Sequence, residues 1–75
     1  MEPLFTADVI LNGQDKLFHV FFHDEKYHFE PEEEGEQKKF TISRINDTWR
    51  VDGDLAEIAQ QQAISALEHY LLSQH

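Results

Sequence analysis

Through the first half of this chain, large apolar side chains recur at every second position, a period that fits strands with one buried face and fits no helix. Phe5, Ala7 and Val9 share one parity, and after the segment NGQD the pattern resumes at Phe18, Val20 and Phe22. Tyr27 and Phe29 follow beyond Asp24-Glu25, and Phe40 and Ile42 begin a fourth run. Alternation of this kind leaves a polar back on every strand, so the chain needs a sheet with something packed against one side of it.

The turns set the registers. Asn12-Gly13 alone suggests a two-residue turn, which pairs Val9 with Lys16. A four-residue loop over residues 12–15 instead pairs Val9 with Phe18, Ala7 with Val20 and Phe5 with Phe22. The longer loop matches apolar with apolar, and it is the register expected from the buried face. It places Phe22 at the centre of the core, between Phe5 and Tyr27. The second hairpin turns at Asp24-Glu25, pairing Phe22 with Tyr27 and Val20 with Phe29. Pro31 ends that strand because it has no N–H to donate. A third hairpin turns at Asn46-Asp47, setting Val51 opposite Ile42 and Trp49 opposite Arg44; Trp49 is expected to cap the core with the Arg44 side chain lying over it, and a cation–π contact at the sheet edge is the other reading.

The C-terminal segment DGDLAEIAQQQAISALEHYLLSQ changes period. Leu55, Ala56, Ala59, Ala63, Ala66, Leu67, Tyr70 and Leu71 form one helical stripe. Asp54 followed by Glu57 has the spacing of a capping box. Alanines on the helix suit a sheet face crowded with rings, since small against large fills volume densely. The expected fold is α+β: a five-stranded antiparallel meander over residues 4–11, 16–23, 26–30, 38–45 and 48–52. One helix over residues 54–73 packs on its aromatic face, giving the order β-β-β-β-β-α in a single domain of 75 residues. A domain this small buries only about 60% of its unfolded surface, so the aromatic residues must supply much of the core.

Composition excludes several chemistries. The chain has no cysteine, which removes disulfides, thiolate metal sites and a cysteine nucleophile. Fifteen acidic against six basic residues give a net charge of −9, which disfavours nucleic acid and anionic membranes as partners. Five of the acids crowd into EPEEEGE, the profile of a solvated loop. The N-terminal residues show no basic segment followed by an apolar run, and no stretch approaches the roughly 18 apolar residues of a membrane span, so a cytoplasmic protein is expected.

Site by site, little chemistry emerges. The segment LFHVFFHDEKYHF places His19, His23 and His28 on the outer parity, behind the rings. A row Asp8, His19, Glu30, Lys39 is expected across the strands, with alternating charge when His19 is protonated. His19, His28 and Glu30 are the candidates for a weak metal site, although zinc needs three or four converging ligands and no strong spacing motif is present. HFE matches a deaminase-like H-x-E, but the Cys pair that chemistry requires is absent. DGD with Glu57 does not meet the calcium-loop order and fits a strand end plus helix cap better. Gly13, Gly35 and Gly53 are isolated, so no phosphate loop exists, and Ser43, Ser65 and Ser73 lack a nucleophile elbow. No cofactor is implied and an enzyme is not expected.

The outer parity also carries Leu4, Ile10, Leu17, Phe21 and Ile45. With Ile10 opposing Leu17 and Phe21 diagonal to them, these form a contiguous apolar cluster of the kind that marks an interface. The function expected from the sequence is therefore a non-enzymatic protein-interaction domain using the uncovered sheet face, as a homodimer or with a protein partner. The alternative is a small-ligand or weak metal-binding protein using the outer-face histidines.

Overall fold

The computed structural model describes residues 2–33 and 39–74. Residues 34–36 of the acidic loop, the Lys38 start expected for the fourth strand, and His75 lie outside the described residues. The elements are β1 (Phe5–Leu11), β2 (Gln14–His23), β3 (Lys26–Pro31), β4 (Phe40–Ile45), β5 (Thr48–Asp52) and α1 (Glu57–Ser73). The five strands form one antiparallel sheet in the order β1-β2-β3-β4-β5, curled and followed by the single helix, as the alternation and turn signals predict. Among the described residues no helix is long and apolar enough to cross a membrane.

The first hairpin departs from expectation. Leu11 pairs with Gln14, Val9 with Lys16, Ala7 with Phe18 and Phe5 with Val20, so the turn is the two residues Asn12-Gly13. Both adopt positive φ, 52° and 78°, as the primed turn that continues a right-handed strand twist requires. The mismatch of Val9 with Lys16 is small because Lys16 is only half-buried. Its stem can lie along apolar surface while the ammonium reaches water. Slipping the register by two residues leaves every side chain on its original face, so burial could not choose between the alternatives and turn chemistry did. Phe22 consequently overhangs the end of β1. It keeps Tyr27, with ring centroids 4.7 Å apart, but is 49% exposed and is not a central core residue.

The other hairpins follow the predicted registers. Phe22 opposes Tyr27 and Val20 opposes Phe29; Val51 opposes Ile42 and Trp49 opposes Arg44. Asp24-Glu25 and Asn46-Asp47 turn with positive φ at both residues, without a glycine in either. Pro31 is the last residue of β3.

The core lies between the inner sheet face and α1. Val9, Phe18, Val20, Phe29, Ile42, Ala63 and Leu67 are all fully buried. Phe29 is its hub, stacked on Phe40 at 4.7 Å and edge-on to Phe18 and Phe5 at 6.5 Å. Ala59 and Ala63 are the buried alanines that bring the helix close to these rings, whereas Ala56 is exposed.

The helix starts at Glu57, three residues later than expected, with Ala56 extended (φ −60°, ψ 147°) as the capping residue and no side-chain cap. Asp54 therefore does not cap it. The reason is distance: residues 53–56 carry the chain from the end of β5 toward the β1–β2 hairpin, where Leu55, Ala56 and Ile58 line a groove shared with Leu11 and Asn12. Non-helical chain reaches up to about 3.3 Å per residue where a helix rises only about 1.5 Å, so keeping these residues out of the helix lengthens the reach. Gly53 makes the departure possible. Its φ of +147° suits glycine, and an added Cβ would lie 2.7 Å from Phe40 Cβ.

From there α1 runs down the inside of the curl and reaches both edge strands. Gln62 Oε1 accepts the Ile10 N–H of β1 at 2.7 Å, and Tyr70 stacks on Phe5 at 4.4 Å. On the opposite edge Trp49 Nε1 donates to Glu68 Oε2 at 3.4 Å.

Candidate functional site

The outer face is assembled from the alternate residues of the same strands that build the core. Thr6 opposes His19, which opposes Glu30; Phe21 opposes His28, which opposes Thr41. The two-residue shift in the first hairpin rearranges what the sequence reading placed together. Asp8 opposes Leu17 rather than His19, so the charge row begins at Thr6 instead. The Glu32 carboxylate lies 3.5 Å from His19 Nε2, and both groups are partly exposed.

The metal candidates keep their expected register and are separated by side-chain orientation instead. His19 and Glu30 sit side by side, but His28 turns toward His23: the rings stack at 4.9 Å and His28 Nε2 donates to the His23 carbonyl at 3.0 Å. His23 Nδ1 in turn lies 3.3 Å from Asp24 Oδ2. Two imidazoles stacked face to face with one nitrogen committed to a carbonyl do not converge on a common point. Among the described residues no group of three or more His, Cys, Asp or Glu is placed to hold a metal ion.

Of the apolar candidates, Leu17 and Phe21 are half-buried, while Leu4, Ile10 and Ile45 are exposed at 44–46%. Leu4 donates its N–H to the Val20 carbonyl at 2.7 Å, which holds it at the end of β1 alongside Phe21. Ile10 opposes Asp15, not Leu17, and Ile45 stands at the far end of β4 opposite Thr48. The cluster is thus centred on Phe21 and Leu4, with Leu17 two residues along β2 beyond His19. Ile10 and Ile45 are peripheral.

Two features escape sequence reasoning. A hollow of about 180 Å³ is lined by Leu17 and Pro31 together with four carboxylates, Asp8, Asp15, Glu32 and Glu33, and one cation, Lys16. Only the observed register brings Asp8 and Leu17 into opposition, and a four-residue loop would separate them. The second is a groove of about 610 Å³ between β1 and α1, lined by Phe5, Thr6, Asp8, Ala66, His69 and Tyr70 among others. It depends on where the helix sits across the sheet, which periodicity does not specify. Trp49 behaves as predicted: it caps the core, 6.3 Å from Tyr27, with the Arg44 guanidinium 4.8 Å from its ring centroid.

Compared with known protein families, curated proteins and solved structures, the chain matches none of them.

Proposed function

We propose that this chain is a non-enzymatic protein-interaction domain that docks a partner protein, or a second copy of itself, on the outer face of its sheet. The observation that carries this reading is the placement of Phe21, Leu17 and Leu4 on the face opposite the helix, where no second layer packs among the described residues. Burial of half-exposed rings and leucines is the usual driving force of association, and a polar rim supplies specificity. Here that rim is His19, His28, Glu30 and Thr41. The net charge of −9 favours a neutral or basic partner surface.

The test is the double variant Leu17→Lys, Phe21→Lys, compared with wild type by analytical ultracentrifugation and by partner capture. The expected outcome is a folded monomer that has lost the self-association or the partner seen with wild type. A folded variant whose mass and bound partners are unchanged rejects the reading.

A further inference from the structure

The exposed edge of β1 is a separate feature from the outer face. Along an antiparallel strand, backbone groups that face the neighbour alternate with groups that face away. The Ile10 N–H faces away from β2, since it donates to Gln62. By that alternation the N–H and C=O of Thr6 and Asp8 also face away from β2. Among the described residues, Gln62 is the one group that reaches this edge, and it stops at Ile10. Beside Thr6 and Asp8 the helix stands off, leaving the groove toward Ala66, His69 and Tyr70. The other edge of the sheet differs: β5 has five residues, and Trp49 ties it to Glu68 of the helix.

We propose that the Phe5–Asp8 half of β1 accepts an extended peptide segment of alternating apolar and basic residues as an added strand. Thr6 and Asp8 each offer one donor and one acceptor, four backbone hydrogen bonds in all. Side chains of the added strand alternate as those of β1 do. Residues opposite Phe5 and Ala7 point inward, over Ala66 and Tyr70, where small apolar groups fit the groove. Residues opposite Thr6 and Asp8 point to the outer side, toward the carboxylates of Asp8, Asp15, Glu32 and Glu33 that line the adjoining hollow. Basic side chains satisfy that side, and a chain of net charge −9 attracts them from a distance. At this edge a second copy is disfavoured locally, because it would bring Asp8 and the neighbouring carboxylates against their own equivalents.

The experiment titrates the full isotope-labelled chain with a short acetylated peptide of alternating lysine and valine. A second peptide is N-methylated at the amides that would face β1, and a third replaces lysine with glutamate. The expected result is that the first peptide shifts the Thr6 and Asp8 amides and slows their hydrogen exchange. N-methylation and the glutamate exchange should each abolish this. Asp8→Lys should weaken the lysine peptide about tenfold. Phe21→Lys alone, at the centre of the outer-face cluster and outside that hollow, should leave its binding intact, so failure of the outer-face reading and failure of this one are distinguishable. The proposal is overturned by any of four results. They are no binding at millimolar peptide, equal binding of the N-methylated peptide, shifts confined to Phe21 and His28, or protection of Thr6 and Asp8 by dimerisation without peptide.

Discussion

The two faces of the sheet are written in the same strands, one residue apart, yet they obey different rules. On the inner face Phe18, Val20, Phe29 and Ile42 are completely buried; on the outer face Leu17, His19, Phe21 and His28 are each half-buried. Membership of a face needs only parity, and parity survives a register slip of two residues. Contact within a face needs the register itself. The inner face tolerates the difference because its residues share one helix as a lid. The outer face, among the described residues, has none, so its neighbourhoods change wholesale when β1 slides along β2.

That contrast explains what was legible in the sequence. The alternation from Phe5 onward, the turns at Asp24-Glu25 and Asn46-Asp47, and the alanine stripe were enough for the element order, the meander and most of the core. The first register was not, because the pairing of Val9 with Lys16 looks poor when side chains are treated as wholly polar or wholly apolar. Asn12-Gly13 carried the stronger signal: positive φ at two consecutive positions costs little there. The helix start was hidden for another reason. Asp54 has the composition of a cap, but the span from β5 to the β1–β2 hairpin is a tertiary requirement that local composition does not encode. Parity alone assigns the outer-face residues to their face, while the link between Ile10 and Leu17 and the row through Asp8 depend on the register and are absent from the observed one.

The largest test of the contrast is Phe29→Ala. Phe29 is fully buried and touches three other rings, so truncation should cost about 3–5 kcal/mol. A domain of this size holds roughly 4–11 kcal/mol in total, so the loss takes a large share of its stability. Urea unfolding should show the midpoint falling sharply. A midpoint close to wild type would mean that the inner face is not the stabilising layer.

A middle-sized effect is expected at Gly53, where the chain leaves the sheet to begin covering its inner face. Gly53→Ala meets both an unfavourable φ of +147° and Phe40 Cβ at 2.7 Å, and should cost roughly 2–3 kcal/mol. Gly13→Ala is the control, since φ is +78° but nothing lies within 4 Å of the added methyl, and about 1 kcal/mol is expected. Thermal melts of the two variants separate backbone strain from the close approach to Phe40. Equal losses would remove the Phe40 contact from the account.

The smallest effect sharpens the comparison most, because it sets two phenylalanines of the same parity against each other. Phe22 and Phe29 both belong to the inner set by alternation, and a register with Phe22 opposite Phe5 would make them equals. In the observed register β1 ends two residues short of Phe22. Phe5 opposes Val20, and Phe22 is left with Tyr27 as its cross-strand neighbour and half its surface in water. Full burial of a phenylalanine side chain is worth about 1.5–3 kcal/mol before any cavity term, so half of it gives about 1 kcal/mol. Truncation at an exposed strand end also leaves no closed cavity, which removes the second component of the cost. Phe22→Ala should therefore melt only a few degrees below wild type, while Phe29→Ala loses several times as much. Amide exchange offers an independent reading of the same pair: the Val20 amide should stay protected in Phe22→Ala, because the ladder with Phe5 and Phe29 does not depend on that ring. A loss at Phe22 matching that at Phe29 would restore the four-residue loop, and with it the pairing of Ile10 with Leu17 on the opposite face.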